Sequence, residues 1–367
     1  MRVLVAVDSY KGTLTSRDVA TAIRSGWHSV RPDDEIDLLP LADGGEGTAE
    51  VIAASVPGST WHTTAPVSGP DGRPVRGRWL ALPGGIAVVD LASSSGLPLM
   101  HALDPLGATT RGLGETIRAA VASGAHEVWI GLGGSASTDA GFGALRALGL
   151  RALDASGREV PDGGAGLTAL AQVDASALVP IPGGVTLLTD VTSPLIGENG
   201  AAAMFGPQKG ASMEEVRLLD AALAHVANVL KQDPTQPGFG AAGGTGFGFA
   251  AMYGANIVSG IDHLSRLTNL DPRIAVAQLV ITGEGAFDRQ SIQGKLVGNV
   301  LERAARAGVS SAVIAGVIHE HPGVAHRSLT EQAGSSSAAM KDPARWAASA
   351  AASLAKSLDG VDVVKAI

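Results

Sequence analysis

Three lysines that stand beside glycine are the residues of this chain best suited to chemistry on an anion. They occur as Lys11-Gly12, Lys209-Gly210 and Gly294-Lys295, in a sequence that has only seven lysines. Glycine lets backbone N–H groups approach the same anion as the ammonium group, so a lysine in such a loop is placed to meet a phosphate or a carboxylate. The alternative is three ordinary surface loops. The acids found near each lysine favour the first interpretation.

Carboxylates stand where predicted strands end, in glycine-rich turns. They are, in chain order, Asp8, Asp43, Glu46, Asp190, Glu284 and Asp288. The ligands of an open parallel sheet bind beyond the carboxyl ends of its strands, so these side chains can converge on a cation or on a hydroxyl group. Asp beside Gly also marks turns and helix N-caps, and for any one of these acids that structural role is the stronger alternative.

Together the lysines and acids match the needs of phosphoryl transfer. That reaction uses cations on the phosphates, a carboxylate-held Mg²⁺ and a base near the acceptor hydroxyl. We predict that Lys11 and Lys209 supply catalytic cations. The chain has no cysteine, so hard oxygen ligands should favour Mg²⁺ or Mn²⁺ over zinc. The predicted metal ligands are Asp43, Glu46, Glu284 and Asp288.

Asp190 is the predicted base. It follows the apolar run 185–189, which should hold it rigidly at the carboxyl end of a strand, and residues 191–194 continue as a turn. A loose phosphoryl transition state asks mainly for alignment of the attacking hydroxyl, so a carboxylate of ordinary pKa is adequate. The structural alternative is that Asp190 accepts hydrogen bonds from the following turn, and Asp288 is then the next candidate.

Several other segments are open to more than one interpretation. Residues 131–136 fit the relaxed dinucleotide fingerprint G-x-G-x-x-[GA], and Asp154 lies where a ribose-binding acid is expected, but chance or close packing explains the match equally well. Residues 243–248 could cradle a phosphate before a helix or let that helix pack closely. His319 and His321 could bind a transition metal, although the absence of a third ligand nearby in sequence favours a solvated loop.

The composition excludes several classes of protein. The 367 residues, 45% hydrophobic and 17% charged, predict two ordered domains. A net charge of -8 without a basic run argues against nucleic-acid binding. No segment approaches the ~20 apolar residues of a membrane span, and the first residues do not form a signal peptide, so we expect a cytoplasmic protein without membrane contact. The P-loop, protein-kinase and hydrolase-elbow signatures are absent.

Short apolar runs that alternate with helical patterns predict a mostly parallel sheet. Strands are predicted at residues 2–7, 36–41, 277–282 and 311–318, in one sheet that joins the two ends of the chain. A helix should follow the first strand, because Val19, Ile23 and Trp27 recur at helical spacing after a possible capping box that begins at Thr15.

The middle of the chain follows different patterns. Residues 59–90 are rich in Pro, Gly and Thr with short alternating runs, which predicts antiparallel hairpins. Residues 214–230 carry an amphipathic helical pattern, with Ser212 and Glu215 placed to form a capping box. We therefore predict a domain comprising residues 1–60 plus 255–367, with a second α/β domain, residues 61–254, inserted in it.

The sequence resembles the bacterial type-1 glycerate kinases. The matching blocks run in the family's order over essentially the whole chain, and they are Asp8-Ser9-Tyr10-Lys11-Gly12, residues 42–48, 133–136, 189–191, 205–210, 240–246 and 282–285. Each block is short, but the set is highly specific. The resemblance implies a flavodoxin-like (Rossmann-like) parallel-sheet domain that holds an inserted α/β domain. It also implies ATP and Mg²⁺ as cofactors, and D-glycerate as substrate with 2-phosphoglycerate as the usual product.

The motifs also suggest which residues contact the substrate or nucleotide. The predicted contacts are Asp8, Ser9, Gly133, Gly134, Ser135, Gly244 and Lys295. The chain departs from the family where Tyr10 replaces Phe, Ala286 replaces Arg and Val297 replaces Pro. The loss of that Arg could alter phosphate or carboxylate binding in the loop 284–295.

Two other functions compete with the kinase. A nicotinamide-dependent oxidoreductase rests on residues 131–136 alone, and three glycine-bounded lysines are hard to explain for hydride transfer. A catalytically idle binding protein with the same fold is the second alternative, and the set of strand-end acids argues against it. The sequence leaves open whether the 2- or the 3-hydroxyl is phosphorylated and whether the chain forms a homodimer.

Overall fold

The computed structural model describes residues 1–292 and 295–358. Gly294 of the third glycine-bounded lysine pair lies outside the described residues. The strands are β1 Arg2–Val7, β2 Glu35–Pro40, β3 Thr60–Ser68, β4 Pro74–Leu82, β5 Ile86–Asp90, β6 Glu127–Gly131, β7 Arg151–Leu153, β8 Gln172–Asp174, β9 Val185–Leu188, β10 Asn256–Val258, β11 Leu279–Thr282, β12 Ala286–Phe287, β13 Ser310–Ala315, β14 Val317–Ile318 and β15 Ala325–Ser328.

The helices connect these strands along the chain. They are α1 Ser16–His28, α2 Thr48–Ser55, α3 Ala92–Ser95, α4 Arg111–Ala122, α5 Phe142–Ala147, α6 Ala201–Phe205, α7 Met213–Leu230, α8 Ala241–Tyr253, α9 Gly260–Leu267, α10 Leu270–Val276, α11 Arg289–Ile292, α12 Leu296–Arg306, α13 Leu329–Ala333, α14 Ser336–Lys341 and α15 Pro343–Ser357, with 3₁₀ turns at Leu97–Leu99, Ala165–Ala169 and Pro207–Lys209. Within the described residues, no helix combines the length and apolar character that crossing a membrane requires.

The chain forms two compact units. Unit 1 comprises Met1–Asp43 and the described part of Ile261–Ile367, and unit 2 comprises Gly44–Gly260. Unit 2 is therefore continuous in sequence, whereas unit 1 is made from the two ends of the chain.

Unit 1 is built on a parallel five-stranded sheet with the strand order β15-β13-β11-β1-β2. Numbered by chain position within the unit, this is the 2-1-3-4-5 order of flavodoxin-like folds, which confirms the predicted fold class. The residues of β1 alternate between two cores. Val3 and Val5 pack with α1 and α15, and Leu4 packs with α10 and α12 on the opposite face. Helices therefore cover both faces, as an apolar parallel sheet requires.

Unit 2 contains a six-stranded sheet with the order β10-β9-β6-β5-β4-β3. The strands β5, β6, β9 and β10 are parallel, while β3, β4 and β5 form antiparallel hairpins as predicted for residues 59–90. The helix predicted at 214–230 is α7, and both bonds of its capping box are present between Ser212 and Glu215. In unit 1, Thr15 caps α1 by accepting a bond from the Asp18 amide, as predicted.

Candidate functional site

The carboxyl edge of the unit 1 sheet brings three acids together. Asp43, Asp8 and Glu284 follow β2, β1 and β11, which are adjacent in the sheet. The Asp8 amide donates to the Gly283 carbonyl at 2.9 Å, which joins the two loops that flank the β1–β11 crevice. The chain continues from β1 to β2 on one side of this crevice and from β11 to β13 on the other. The crevice is therefore the topological switch point of the sheet, where ligands of such folds bind.

The electrostatics of this edge are dominated by crowded negative charge. Burial, together with the neighbouring charge of Asp43, raises the pKa of Asp8 to about 7, although Lys11 opposes the rise. Burial also raises the pKa of Glu284, which the Ser291 hydroxyl and the Lys295 ammonium partly offset. The Oε1 atom of Glu284 is buried and has no hydrogen-bond partner among the described residues. A buried carboxylate oxygen without a donor is costly, so this edge is suited to binding a cationic or donating group.

Lys11 and Lys295, two of the lysines of unit 1, stand at the same edge. The Lys11 Nζ lies 3.4 Å from Asp43 Oδ2, and its side chain remains 68% exposed. The neighbouring Asp43 charge raises the pKa of Lys11, which is therefore charged at neutral pH. Gly12 has φ +78°, a left-handed conformation that explains why glycine follows this lysine. Lys295 directly precedes α12 and is exposed.

A cavity of about 440 Å³ in unit 1 contains most of the residues predicted for that unit. Those that line it are Asp8, Ser9, Lys11, Asp43, Glu284, Asp288 and Lys295. Ala286, which stands where the family commonly has Arg, lines it as well. Tyr10, which replaces the family's Phe, is buried there and donates its hydroxyl to the Ile314 carbonyl at 2.8 Å. The added hydroxyl is thus accommodated without an unpaired polar group.

Asp288 has a structural role in its described contacts. Its Oδ1 accepts hydrogen bonds from the amides of Gln290 at 2.8 Å and Ser291 at 3.1 Å, which caps the short helix α11. Burial acts to raise the pKa of Asp288, but these bonds outweigh it and hold the pKa below its ordinary value. Glu46, another predicted metal ligand, belongs to unit 2 and is exposed. Among residues 1–292 and 295–358, no group of three or more acids or histidines is arranged to hold a metal ion.

Lys209 occupies a very different environment in unit 2. Its side chain is buried, with the residue 2% exposed, and its Nζ donates to Ser135 Oγ at 2.9 Å and to the Ser137 carbonyl at 2.5 Å. Burial lowers the pKa of Lys209 to about 8, against the opposing charge of Asp139. We predicted that Lys209 would meet an anion in an open loop. Its described contacts instead tie it to the loop that carries Ser135.

Asp139 is a charged residue of this network that sequence reasoning missed. It is fully buried and accepts hydrogen bonds from the amide and hydroxyl of Thr110, both at 2.8 Å, and from the amides of Gly141 and Gly143. Burial raises its pKa, and these four bonds oppose that rise. Its position just before glycine and a helix could have marked it as a capping acid, but its partner Thr110 is distant in sequence.

The glycines of residues 131–136 serve close packing. A Cβ on Gly133 would lie 2.6 Å from the Gly45 Cα, so the two loops meet backbone to backbone. No helix begins at this loop, since α5 starts only at Phe142. The dinucleotide fingerprint requires a helix N-terminus at the glycines. Asp154, the expected ribose ligand, instead closes a turn by accepting from the amides of Ser156 and Arg158. The fingerprint interpretation is therefore wrong.

The glycines of residues 44–47 also allow close approach within unit 2. A Cβ on Gly44 would lie 2.9 Å from both the Leu188 carbonyl carbon and the Gly260 Cα. Gly134, with φ +64°, is exposed, and a Cβ there would lie 3.9 Å from a carboxylate oxygen of Glu46. Glu46 and Gly134 therefore share one surface at the carboxyl edge of the unit 2 sheet.

Asp190 lies at the same edge, as predicted. It is half-buried, one residue beyond the Thr189 that follows β9, and its Oδ1 accepts a hydrogen bond from the Ser259 hydroxyl at 2.7 Å. Ser259 follows β10, the neighbour of β9 in the sheet. In the turn after Asp190, the Val191 amide donates to Thr189 Oγ1 at 3.2 Å.

The run 243–248 proves to be a packing element. Ala242, Gly243 and Gly244 have positive φ angles, so the regular part of α8 begins after them. A Cβ on Gly243 would lie 2.0 Å from the Ser137 carbonyl oxygen, and one on Gly244 would lie 3.0 Å from the Ala140 Cα. Gly244 is buried, so its described surroundings are protein atoms. His319 and His321 are exposed, and the His321 Nδ1 accepts from the Gly323 amide, which agrees with a solvated loop.

Comparison with known proteins identifies the relatives of this chain. The model of the glycerate kinase family matches residues 3–361. The chain belongs to the glycerate kinase family. Glycerate 2-kinase of Escherichia coli (strain K12) is 41% identical over 338 residues, which cover 88% of this chain and 88% of that protein. Glycerate kinase of Bacillus subtilis (strain 168) is 39% identical over 328 residues, covering 87% and 85%.

A solved structure supports the same assignment. The crystal structure assigned to glycerate kinase 2 of Salmonella typhimurium LT2 has a TM-score of 0.78 to this chain at 36% identity and covers 98% of both chains. The predicted family and the two-domain α/β fold are confirmed. As a member of the glycerate kinase family the chain is a phosphotransferase, and the oxidoreductase alternative is set aside.

Proposed function

We propose that this chain transfers the γ-phosphoryl group of ATP to the 2-hydroxyl of D-glycerate and releases 2-phosphoglycerate and ADP. Family membership supports the kinase activity and glycerate as the acceptor. The choice of the 2-hydroxyl is supported by the relative from Escherichia coli, which is named glycerate 2-kinase.

The observation that carries this proposal is the cavity at the switch point of unit 1. It combines an exposed, charged Lys11 with the buried Asp8 and the half-buried Glu284 at the carboxyl ends of adjacent strands. Phosphoryl transfer requires a cation at the phosphates and acids that can hold a metal, and both lie here in one cavity. Lys11 binds phosphate oxygens in this proposal. Lys295, which lines the same cavity, adds a second cation.

The acids of this cavity fit Mg²⁺. They are hard oxygen donors, and one buried oxygen of Glu284 has no hydrogen-bond partner in the part of the chain that the structure describes. Repulsion from Asp43 also helps to raise the pKa of Asp8. Mg²⁺ is commonly held by one or two carboxylates together with substrate phosphates, so no cluster of three protein ligands is needed. We propose Asp43 and Glu284 as those carboxylates. When bound, Mg²⁺ supplies charge neutralisation on the phosphates.

For unit 2 we propose roles for two residues. Asp190 orients the attacking hydroxyl of glycerate and accepts its proton, and the Ser259 hydroxyl fixes the carboxylate in the required orientation. Lys209 is a positioning residue, because its ammonium group holds the loop of Ser135 and Ser137 in place. Glycerate would meet this loop at its exposed Gly134.

A coupled assay tests the proposal directly. Purified protein with ATP, Mg²⁺ and D-glycerate should release ADP, and the product should be accepted by enolase without a mutase because enolase acts on 2-phosphoglycerate. Product that enolase accepts only after a mutase is added would place the phosphoryl group on the 3-hydroxyl. If no ADP is released in response to glycerate, the alternative hypothesis of a catalytically idle binding protein with the same fold would be favoured.

A further inference from the structure

The unit 1 cavity has a charged half and an apolar half. The charged half lies at the ends of some strands of the sheet, and the apolar half lies at the ends of their neighbours. Asp43, Asp8 and Glu284 follow β2, β1 and β11, on one side of the sheet edge. The next two strands, β13 and β15, lead instead into Gly316 and Leu329, which line the cavity without charge. The cavity therefore changes from acidic and basic groups to apolar ones along a single direction.

The apolar half is formed mainly by α13, α14 and the segments beside them. Its lining side chains are Val317, Leu329, Ala339, Met340 and Pro343. Leu329 and Ala339 are buried, whereas Met340 is 62% exposed despite its apolar side chain. The other lining residues of these helices, Thr330 and Ser336, are uncharged.

Hydrogen bonds hold these helices in place. The amide and the hydroxyl of Thr330 both donate to the Gly316 carbonyl at 2.9 Å, which fixes α13 at the end of β13. The indole of Trp346 on α15 donates to the Ala338 carbonyl of α14 at 3.2 Å. The helices that form the apolar half are therefore held in fixed positions by hydrogen bonds, and such a preformed surface is suited to binding a rigid group.

We propose that this apolar half binds the adenine ring of ATP, with the triphosphate directed towards Lys11 and Lys295. The inference rests on the proposed function and assigns the base subsite within it. ATP has a planar aromatic end and a polyanionic end, which match the two halves of the cavity in order. Glycerate is a small polar acid with no apolar part to cover Met340, so it does not match the apolar half.

Three further observations favour adenine as the occupant. The cavity volume of about 440 Å³ lies within the range of roughly 300–1,000 Å³ that is typical of small-molecule sites. The flexible thioether of a methionine makes favourable contacts with aromatic rings, so an exposed Met340 at the rim gains a partner when the base binds. The competing location for a nucleotide, residues 131–136, has no helix N-terminus at its glycines.

The test measures binding of ADP and of inorganic tripolyphosphate to the full chain by calorimetry, without glycerate. Met340→Ala should weaken ADP binding roughly 2- to 10-fold and leave tripolyphosphate binding unchanged, because only the base contacts methionine. Ala339→Trp fills the apolar half and should weaken ADP binding more than 10-fold, again without effect on tripolyphosphate. Met213→Ala is the matched control, since Met213 is 69% exposed in unit 2 and should change neither affinity.

The outcomes separate this inference from the proposed function. Unchanged ADP binding in Met340→Ala, or equal weakening of ADP and tripolyphosphate, would overturn the adenine subsite even if the wild-type chain phosphorylates glycerate. Conversely, selective weakening of ADP in a chain that fails to phosphorylate glycerate would uphold the subsite and reject the proposed acceptor. Because Ala339 is buried, the melting temperature of Ala339→Trp is measured as well. Met340→Ala is an exposed substitution that decides the question even if the tryptophan variant does not fold.

Discussion

Lys11 and Lys209 share a local sequence pattern and occupy opposite environments. Each precedes a glycine of positive φ angle, at +78° for Gly12 and +92° for Gly210. Lys11 projects its exposed ammonium group into a cavity beside Asp43, whereas Lys209 is buried and bound to Ser135 and Ser137. The pattern therefore predicts the backbone turn in both cases. The burial of the side chain decides whether the lysine can meet a ligand.

The acids near these lysines differ in the same way. Asp139 in unit 2 accepts four described hydrogen bonds, so its charge is satisfied within the protein. Glu284 in unit 1 has a buried oxygen without a described donor, and Asp8 is crowded by Asp43. A carboxylate whose hydrogen bonds are all made within the protein stabilises the loop that carries it. A buried carboxylate oxygen without a donor is instead suited to binding a ligand. We therefore propose ligand binding for Lys11 and loop positioning for Lys209.

Removal of the metal should have the largest effect. The acids of unit 1 are expected to need a hard cation before the triphosphate can bind productively, so EDTA should abolish ADP release and added Mg²⁺ should restore it. Zn²⁺ serves as the control metal and should restore little activity, because the proposed ligands are all oxygens. Full activity after exhaustive chelation would remove the metal from the proposal and with it the ligand role of Asp43 and Glu284.

Asp190→Asn tests the proposed base at the carboxyl edge of the unit 2 sheet. The amide keeps the shape of the side chain and can still accept from Ser259, but it cannot take a proton, so kcat should fall roughly 100-fold or more. The melting temperature and ADP affinity should stay close to wild type. Ser259→Ala is the companion variant and should lower kcat less, because it removes an orienting hydrogen bond but leaves the carboxylate in place. Normal turnover by the Asn variant would exclude Asp190 as the base, and Asp288 would be tested next.

Alanine substitution of the two lysines tests the comparison most directly. Lys11→Ala should lower kcat/KM on the order of 100-fold, since it removes an electrostatic clamp on the phosphates. Its effect on stability should stay within about 0.5 kcal/mol, as is usual at an exposed site. Lys209→Ala should destabilise the protein by about 2–4 kcal/mol as well as lower activity, because it leaves a cavity and strands the Ser137 carbonyl.

Urea unfolding monitored alongside the kinetics distinguishes the two roles. Lys209→Met fills most of the volume that Lys209→Ala leaves empty, but its side chain cannot donate hydrogen bonds. The difference in stability between the two variants therefore separates the contribution of packing from that of hydrogen bonding. A Lys209→Ala variant as stable as wild type would contradict the positioning role, and a Lys11→Ala variant with normal turnover would contradict the phosphate-binding role.

Lys209 should also make the stability of the folded chain depend on pH. Its pKa of about 8 in the folded chain lies below the ordinary 10.5, because it is buried. Between these values the unfolded chain holds a proton that the folded chain has released, so the free energy of unfolding should rise with pH. At about 1.4 kcal/mol per pKa unit, wild type should gain about 3 kcal/mol relative to Lys209→Met between pH 8 and roughly 10.5. A constant difference across this window would show that burial does not lower the pKa of Lys209.

The sequence predicted the elements of this fold closely, because their signals are local. The predicted strand 2–7 matches β1, and the predicted helix 214–230 begins one residue after the first residue of α7. These assignments depend on periodicity and capping within a few neighbouring residues. The joining of the two ends of the chain in one sheet was also predicted, because parallel strands with helical connections have few arrangements.

The site was predicted less completely, because burial depends on residues that are distant in sequence. Lys209 is enclosed by partners more than 70 positions earlier, and Asp139 takes two of its four described donors from Thr110, which lies 29 positions earlier. No local pattern contains that information. The apolar half of the unit 1 cavity was missed for the same reason, since Val317, Leu329 and Met340 carry no chemical signal until the sheet order places them beside the charged half.

The close approach of Gly44 to Gly260 has a consequence for how this chain can fold during synthesis. The first and last residues of unit 2 lie against each other, so a segment of roughly 200 residues begins and ends at nearly one point. All of unit 2 has been synthesised by the time β11 leaves the ribosome. Until then β1 and β2 lack β11, the strand that pairs with β1 at the centre of the unit 1 sheet. Once unit 2 has folded, its first and last residues are held close together, so the loop between β1 and β11 behaves as if it were only a few residues long. The pairing of β1 with β11 then avoids most of the entropic cost of a contact so distant in sequence.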